Sequence, residues 1–216
     1  MKKYKLFAIA GILAPIIYFC MIVILGALEP NYSHLTKMMS LLGGVQGIRG
    51  WLFNIGIATT GMLVALFAIG LHQSINDKKR SKVGPVLLIL GGLGLILAGI
   101  FHCDLNCNNV IVEKNFIGLM HILTSFIAGM CLSIAPFFIF GRFGKSSNWK
   151  NYATYTLVTG IIANIPGIIF WVTLATTRLP EIEGLLQRLG IVFIFIWIEV
   201  IALKMHNLNR MASSPQ

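Results

Sequence analysis

Charge is scarce in this sequence. Asp, Glu, Lys and Arg make up 11 % of its 216 residues, against roughly 25 % in an ordinary soluble domain. That shortage excludes a conventional water-soluble fold, because a chain 56 % hydrophobic with a mean hydropathy of +0.82 has more apolar surface than a core of this size can hide. Acids are scarcer still: 7 Asp and Glu stand against 17 Lys and Arg, a formal charge of +10. A nucleic-acid partner would need the basic residues on one stripe, interleaved with exposed aromatics. They fall instead in short clusters between long apolar runs. Zinc-finger spacing is also lacking, and the glycines lie inside apolar segments rather than in a phosphate-binding loop, which sets nucleotide binding aside. The N-terminus has the basic start of a secretory signal peptide (Lys2, Lys3, Lys5), but the apolar stretch runs on to Leu28 without a small-x-small cleavage site.

What the chain has is length of apolar run. A hydrocarbon layer about 30 Å thick takes roughly 20 residues of helix, since each residue rises 1.5 Å and every backbone polar group must be satisfied internally. Six stretches meet that requirement, at residues 7–28, 51–73, 85–102, 117–140, 152–174 and 189–206. The expected fold is therefore all-α: a single transmembrane domain over 1–216, a polytopic bundle of six spans. Pro166-Gly167 is expected to kink the fifth. Small residues repeat at helical spacing (Ala58, Gly61, Ala65 and Ala68 in the second span; Gly91, Gly94 and Ala98 in the third), as close helix packing in lipid requires.

Sidedness follows from Lys and Arg. With the N-terminus in the cytoplasm, twelve basic residues (Lys2, Lys3, Lys5, Lys78, Lys79, Arg80, Lys82, Arg142, Lys145, Lys150, Lys204, Arg210) lie inside and five (Lys37, Arg49, Lys114, Arg178, Arg188) outside. The positive-inside rule then predicts a multi-pass protein of the cell membrane with both termini cytoplasmic.

Polar side chains gather at the expected outer ends of the spans. Tyr32, Ser33, His34 and Ser40 follow the first; His102, Cys103, Asp104 and Cys107 follow the third; His121 opens the fourth; Gln187 and Arg188 precede the sixth. A hydroxyl needs a neighbouring base to attack an ester, so Ser40, His121 and Asp104 are a candidate catalytic group for a membrane-embedded hydrolase. His102, Asp104 and His121 are candidate ligands for a divalent metal such as zinc, which would make a metal-dependent lipid-modifying enzyme. Solvated loop groups and helix-end caps are the plain alternative to both. Cys103 and Cys107 can close a disulfide at the base of their loop, ligate a metal with His102, or remain free thiols. Glu199 lies within the sixth span, where a carboxyl is costly unless paired or beside water. It is a candidate functional group, the plain alternative being a protonated carboxyl hydrogen-bonded across helices, with Asn164 at similar depth in the fifth span as one partner.

The order of short motifs resembles the six-span family named domain of unknown function 998 (DUF998). The matching pieces are Gly11-Ile12-Leu13-Ala14-Pro15, Leu28-Glu29-Pro30-Asn31-Tyr32-Ser33, Met39-Ser40-Leu41-Leu42-Gly43, Phe101-His102-Cys103-Asp104, Gly118 with His121, and Gly184-Leu185-Leu186-Gln187-Arg188. The resemblance implies Tyr32, Ser40, Asp104, His121, Gln187 and Arg188 as family positions. It departs at Leu41, where the family often has an acid, and at His102, where it often has proline.

Three functions compete at this level. The first is binding or processing of a lipid or other amphipathic ligand at Ser40, Asp104, His121 and Arg188, with Tyr32 and Gln187 beside them. The second is a small transporter or channel with Asn164 and Glu199 on its path. The third is a structural or assembly protein whose small-residue seams are the interface. Membrane lipids are the expected partners in each, and the seams are compatible with an oligomer.

Overall fold

The computed structural model describes residues 4–75, 81–103, 116–176 and 178–211, the side chains of 209–211 excepted. Six α-helices follow one another: α1 (Lys5–Leu28), α2 (Ile48–Ser74), α3 (Val83–Ile100), α4 (Phe116–Phe143), α5 (Ala153–Thr176) and α6 (Glu183–Met211), and no strand occurs among the described residues. Short 3-10 turns at Met39–Gly44, Lys150–Tyr152 and Pro180–Ile182 lead into the helices that follow them. All six helices are long and apolar enough to cross a bilayer.

Each helix packs on its successor and α6 returns to α1, so the six close into a ring of antiparallel neighbours. The α4–α5 and α6–α1 seams are thinner than the other four. We call the end that carries the α1–α2, α3–α4 and α5–α6 connections the top. Large apolar side chains stand exposed around the whole perimeter, including Ile55 at 55 %, Ile168 at 61 % and Val172 at 55 %. A protein in water does not tolerate so continuous an apolar surface. A bundle in lipid requires it.

Inside the ring, association rests on contact rather than on the hydrophobic effect, because lipid is as apolar as leucine. At the crossing of α2 and α3, a methyl group on Gly61 would strike the carbonyl of Gly92, and one on Gly92 the carbonyl of Gly61. The two backbones therefore touch. The other face of α3 meets α4, with Gly91 against Leu132 and Gly94 against Ala128. The small residues at 61, 65 and 91–98 thus sit on the seams that their spacing suggested.

The bottom of the bundle is solid. Phe67, Leu71, Ile139, Phe143, Trp197, Ile198 and Ile201 are buried there without access. Trp149 stacks on Phe143 with ring centroids 4.7 Å apart and donates its indole N–H to the Ser74 carbonyl at 3.2 Å.

Helix ends differ from the apolar runs where polar groups take over. α3 stops at Ile100 rather than 102, because His121 of α4 takes the place of a further turn by bonding the terminal carbonyls. α6 begins six residues before the apolar run, at Glu183. Its polar first turns stay helical because Pro180 and the acidic residues suit a helix start and because the α1–α2 connection bonds to them. Pro15, Pro136 and Pro166 all lie inside helices.

Candidate functional site

The top half of the bundle is hollow where the bottom is filled. A cavity of about 170 Å³ lies between α4, α5 and α6, with Tyr18 of α1 and Leu95 of α3 on its far wall and Met38, Met39 and Ser40 above it. Most of its wall is apolar: Ile57, Leu132, Phe170, Ile191, Ile194 and Phe195 contribute. The polar groups are His121, Ser125, Ser40 and Gln187 toward the top, and Ser133 and Asn164 deeper. Exposed Met130 of α4 and Ile168 of α5 also line it, so it reaches the bundle surface between α4 and α5. Gly129 and Gly167 flank that opening. A methyl on Gly167 would meet nothing within 4 Å, and one on Gly129 only the Trp171 indole nitrogen at 3.7 Å. These two glycines border space, in contrast to Gly61 and Gly92.

His121 is the most constrained of the polar groups. Its Nδ1 lies 2.8 Å from the Phe101 carbonyl and 3.1 Å from the Ala98 carbonyl. Carbonyls only accept, so Nδ1 carries the proton and, in the neutral ring, the lone pair is on Nε2. Ser125 lies one turn along α4 with its Oγ 3.4 Å from that Nε2. The ring also faces the C-terminal end of α3, where the helix dipole offsets positive charge by about 0.3–1 kcal/mol.

Above the cavity the α1–α2 connection is clamped to α6. Arg188 donates Nη2 to the Tyr32 hydroxyl at 2.6 Å, and Nη1 to the carbonyls of Lys37 at 2.9 Å and Gly184 at 2.7 Å. Its guanidinium carbon stands 5.7 Å from the centroid of the Tyr32 ring. The Tyr32 hydroxyl in turn donates to the Met38 carbonyl at 3.1 Å. Gln187 accepts the Met39 backbone N–H at 2.6 Å through Oε1, and the Leu185 N–H reaches the Leu35 carbonyl at 2.9 Å. Burial raises the pKa of the Tyr32 phenol, although the Arg188 charge and hydrogen bond work against the rise. Burial, and then the Arg188 charge, lower that of His34.

Beside this clamp is a second hollow of about 300 Å³, lined by Lys37, Arg178 and Glu183 among others. Met38 and Leu174 belong to both hollows and form the partition between them.

The residues singled out from sequence separate into groups. Ser40, His121 and Gln187 share the cavity, while Tyr32 and Arg188 hold the connection above it. Asp104 and Cys107 lie outside the described residues. Cys103 is disulfide-bonded, and Cys20 and Cys131 are free thiols. His102 turns its Nδ1 to the Cys103 carbonyl at 3.2 Å and does not line the cavity. Among the described residues no three His, Cys, Asp or Glu side chains are grouped to hold a metal. Asn164 does not reach Glu199: its amide nitrogen donates to the carbonyls of Ser133 at 2.9 Å and Gly160 at 2.7 Å, tying α5 to α4. Glu199 lies three residues after exposed Ile196 and four before exposed Leu203, on the lipid-facing side of α6. No hydrogen bond joins the two side chains.

Ser125 was not among the sequence candidates. The sign that could have found it is the four-residue step from His121, which places both on one helical face.

A family model described as a protein of unknown function (DUF998) matches residues 12–204. No curated protein and no solved structure matches the chain.

Proposed function

The chain belongs to the DUF998 family, and on that premise we propose that it binds an amphipathic molecule which enters sideways from the outer leaflet between α4 and α5. The observation that carries this reading is a mostly apolar cavity in the top half of the ring, edged by His121, Ser125, Ser40 and Gln187 and open to the bundle surface at Met130 and Ile168. An apolar wall with a few converging polar groups is the usual form of a small-molecule site. The excess of Lys and Arg at the bottom connections supports reading the top as the outer side.

Size limits the ligand. An engineered apolar cavity of about 150 Å³ takes benzene, so ≈ 170 Å³ encloses a short segment of an acyl chain, with the rest of the chain lying along the seam in lipid. The polar head then stands under the clamped connection, beside His121, Ser125, Ser40 and Gln187.

Gly167→Leu tests this, because Gly167 lines the cavity and a Cβ added there meets nothing within 4 Å. Native mass spectrometry of protein extracted from membranes is expected to find bound lipid on the wild type and little on Gly167→Leu at equal thermal stability. Equal lipid on both would remove the reading.

A further inference from the structure

We infer that Ser125 is a nucleophile and His121 its general base, so that the cavity cleaves a carboxylic ester of the amphipathic molecule it binds; this rests on the binding reading above. Three features set Ser125 apart from a hydroxyl that merely fills a helix.

The first is the direction of its bond. Hydroxyls inside apolar helices ordinarily return to the carbonyl one turn back, as Thr60 does to Gly56, Thr124 to Met120 and Thr159 to Tyr155. Ser125 turns to the imidazole of His121. The second is the preparation of that imidazole. Nδ1–H is fixed by the Phe101 and Ala98 carbonyls, so the basic Nε2 is the nitrogen that faces Ser125. A base held by a third group is the general form of an activated hydroxyl, and here backbone carbonyls supply the third group. The third is the surroundings. Both side chains line a space large enough for a reacting carbonyl. Gln187 lines the same space, its amide held through Oε1 by the Met39 N–H.

The step balances with water as the second reactant. Ser125 Oγ bonds to the ester carbonyl carbon while its proton moves to His121 Nε2. The carbon–oxygen bond to the alcohol then breaks, and that oxygen takes the proton from Nε2. Water repeats the sequence on the acyl-serine, passing a proton through Nε2 and releasing the carboxylic acid. In each half the transient imidazolium faces the carbonyl end of α3.

An alkyl fluorophosphonate, which traps activated serines, tests the pair in proteoliposomes, with the labelled residue identified by peptide mass spectrometry. Label is expected on Ser125, absent in Ser125→Ala, slowed on the order of 10²-fold or more in His121→Gln, and increasing in rate with pH as the imidazole deprotonates. Label on Ser40 alone, no label at all, or labelling of Ser125 indifferent to His121→Gln and to pH would overturn the inference. A photoreactive diazirine phospholipid applied to the same samples reads binding separately. Crosslinks to α4 and α5 without label at Ser125 would end the ester-cleavage inference and leave the binding reading intact, whereas loss of both would end both.

Discussion

Arg188 and Tyr32, 156 residues apart, meet through a 2.6 Å hydrogen bond that fastens the connection after α1 to the first turns of α6. The same guanidinium satisfies the Lys37 and Gly184 carbonyls, so one side chain closes three bonds over the cavity. Arg188→Ala leaves these partners without their donor, and hydrogen bonds to a charged group contribute about 1.5–3 kcal/mol each at most. Thermal unfolding in detergent is expected to fall by several degrees. Arg188→Lys restores little, because an ammonium cannot reproduce the planar fork. A lysine variant as stable as wild type would show that charge alone holds the connection.

Tyr32→Phe separates the hydroxyl from the ring. It keeps the stacking of Arg188 over the aromatic face but removes both the acceptor for Arg188 and the donor to Met38. A loss of about 1–2 kcal/mol is expected. Unfolding midpoints of Tyr32→Phe, Arg188→Ala and the double variant measure the coupling, which should be well below additive.

His34 gives the connection a pH dependence. Its folded pKa is lowered by burial and by the Arg188 charge, so the unfolded chain takes up the proton first. Stability is full above the ordinary histidine value of about 6.5 and declines as pH falls through the interval below it. Because His34 is exposed, the decline is small. The unfolding midpoint of the wild type should drop more between pH 8 and pH 5 than that of His34→Gln; parallel curves would remove His34 as the cause.

Glu199 shares a helical face with Ile196 and Leu203, both directed at the surroundings of the bundle. A charged carboxylate at the middle of a membrane helix costs about 2.5–3.5 kcal/mol on insertion scales, and protonation relieves only part of this. Glu199→Leu should therefore match or exceed wild-type thermal stability in lipid. A marked fall would mean that the carboxyl has a partner in the membrane.

Gly61 lies against the Gly92 carbonyl, so a branched side chain there must force two backbones apart. Gly61→Val is expected to lose well over the 1–3 kcal/mol typical of overpacking, seen as aggregation on size-exclusion chromatography. Gly167→Val, which borders space, should elute as wild type.

These contrasts mark what the sequence disclosed. Span number and helix type were plain because a 30 Å hydrocarbon layer imposes one length on every crossing, and the small-residue faces of α2 and α3 were plain because contact in lipid admits few side chains. The positions of Tyr32, Gln187 and Arg188 were visible as polar residues at span ends. Their joining was not, since a bond between a loop and a helix 156 residues away has no periodicity. Glu199 is different: helical spacing alone assigns it to the face of Ile196 and Leu203, while depth in the span carries no information on direction. Ser125 was hidden among the apolar residues of α4 for the opposite reason, because a lone serine in a span is ordinary until its bond is seen to point at His121.

Sideways entry of the proposed ligand between α4 and α5 would also fix how that ligand is supplied. A molecule that reaches Gly129 and Gly167 from the side never has to leave the bilayer, so its supply is governed by its mole fraction in the leaflet and not by its solubility in water. Weak intrinsic affinity is then sufficient for occupancy, and the composition of the surrounding membrane becomes the variable that decides how often the cavity is filled.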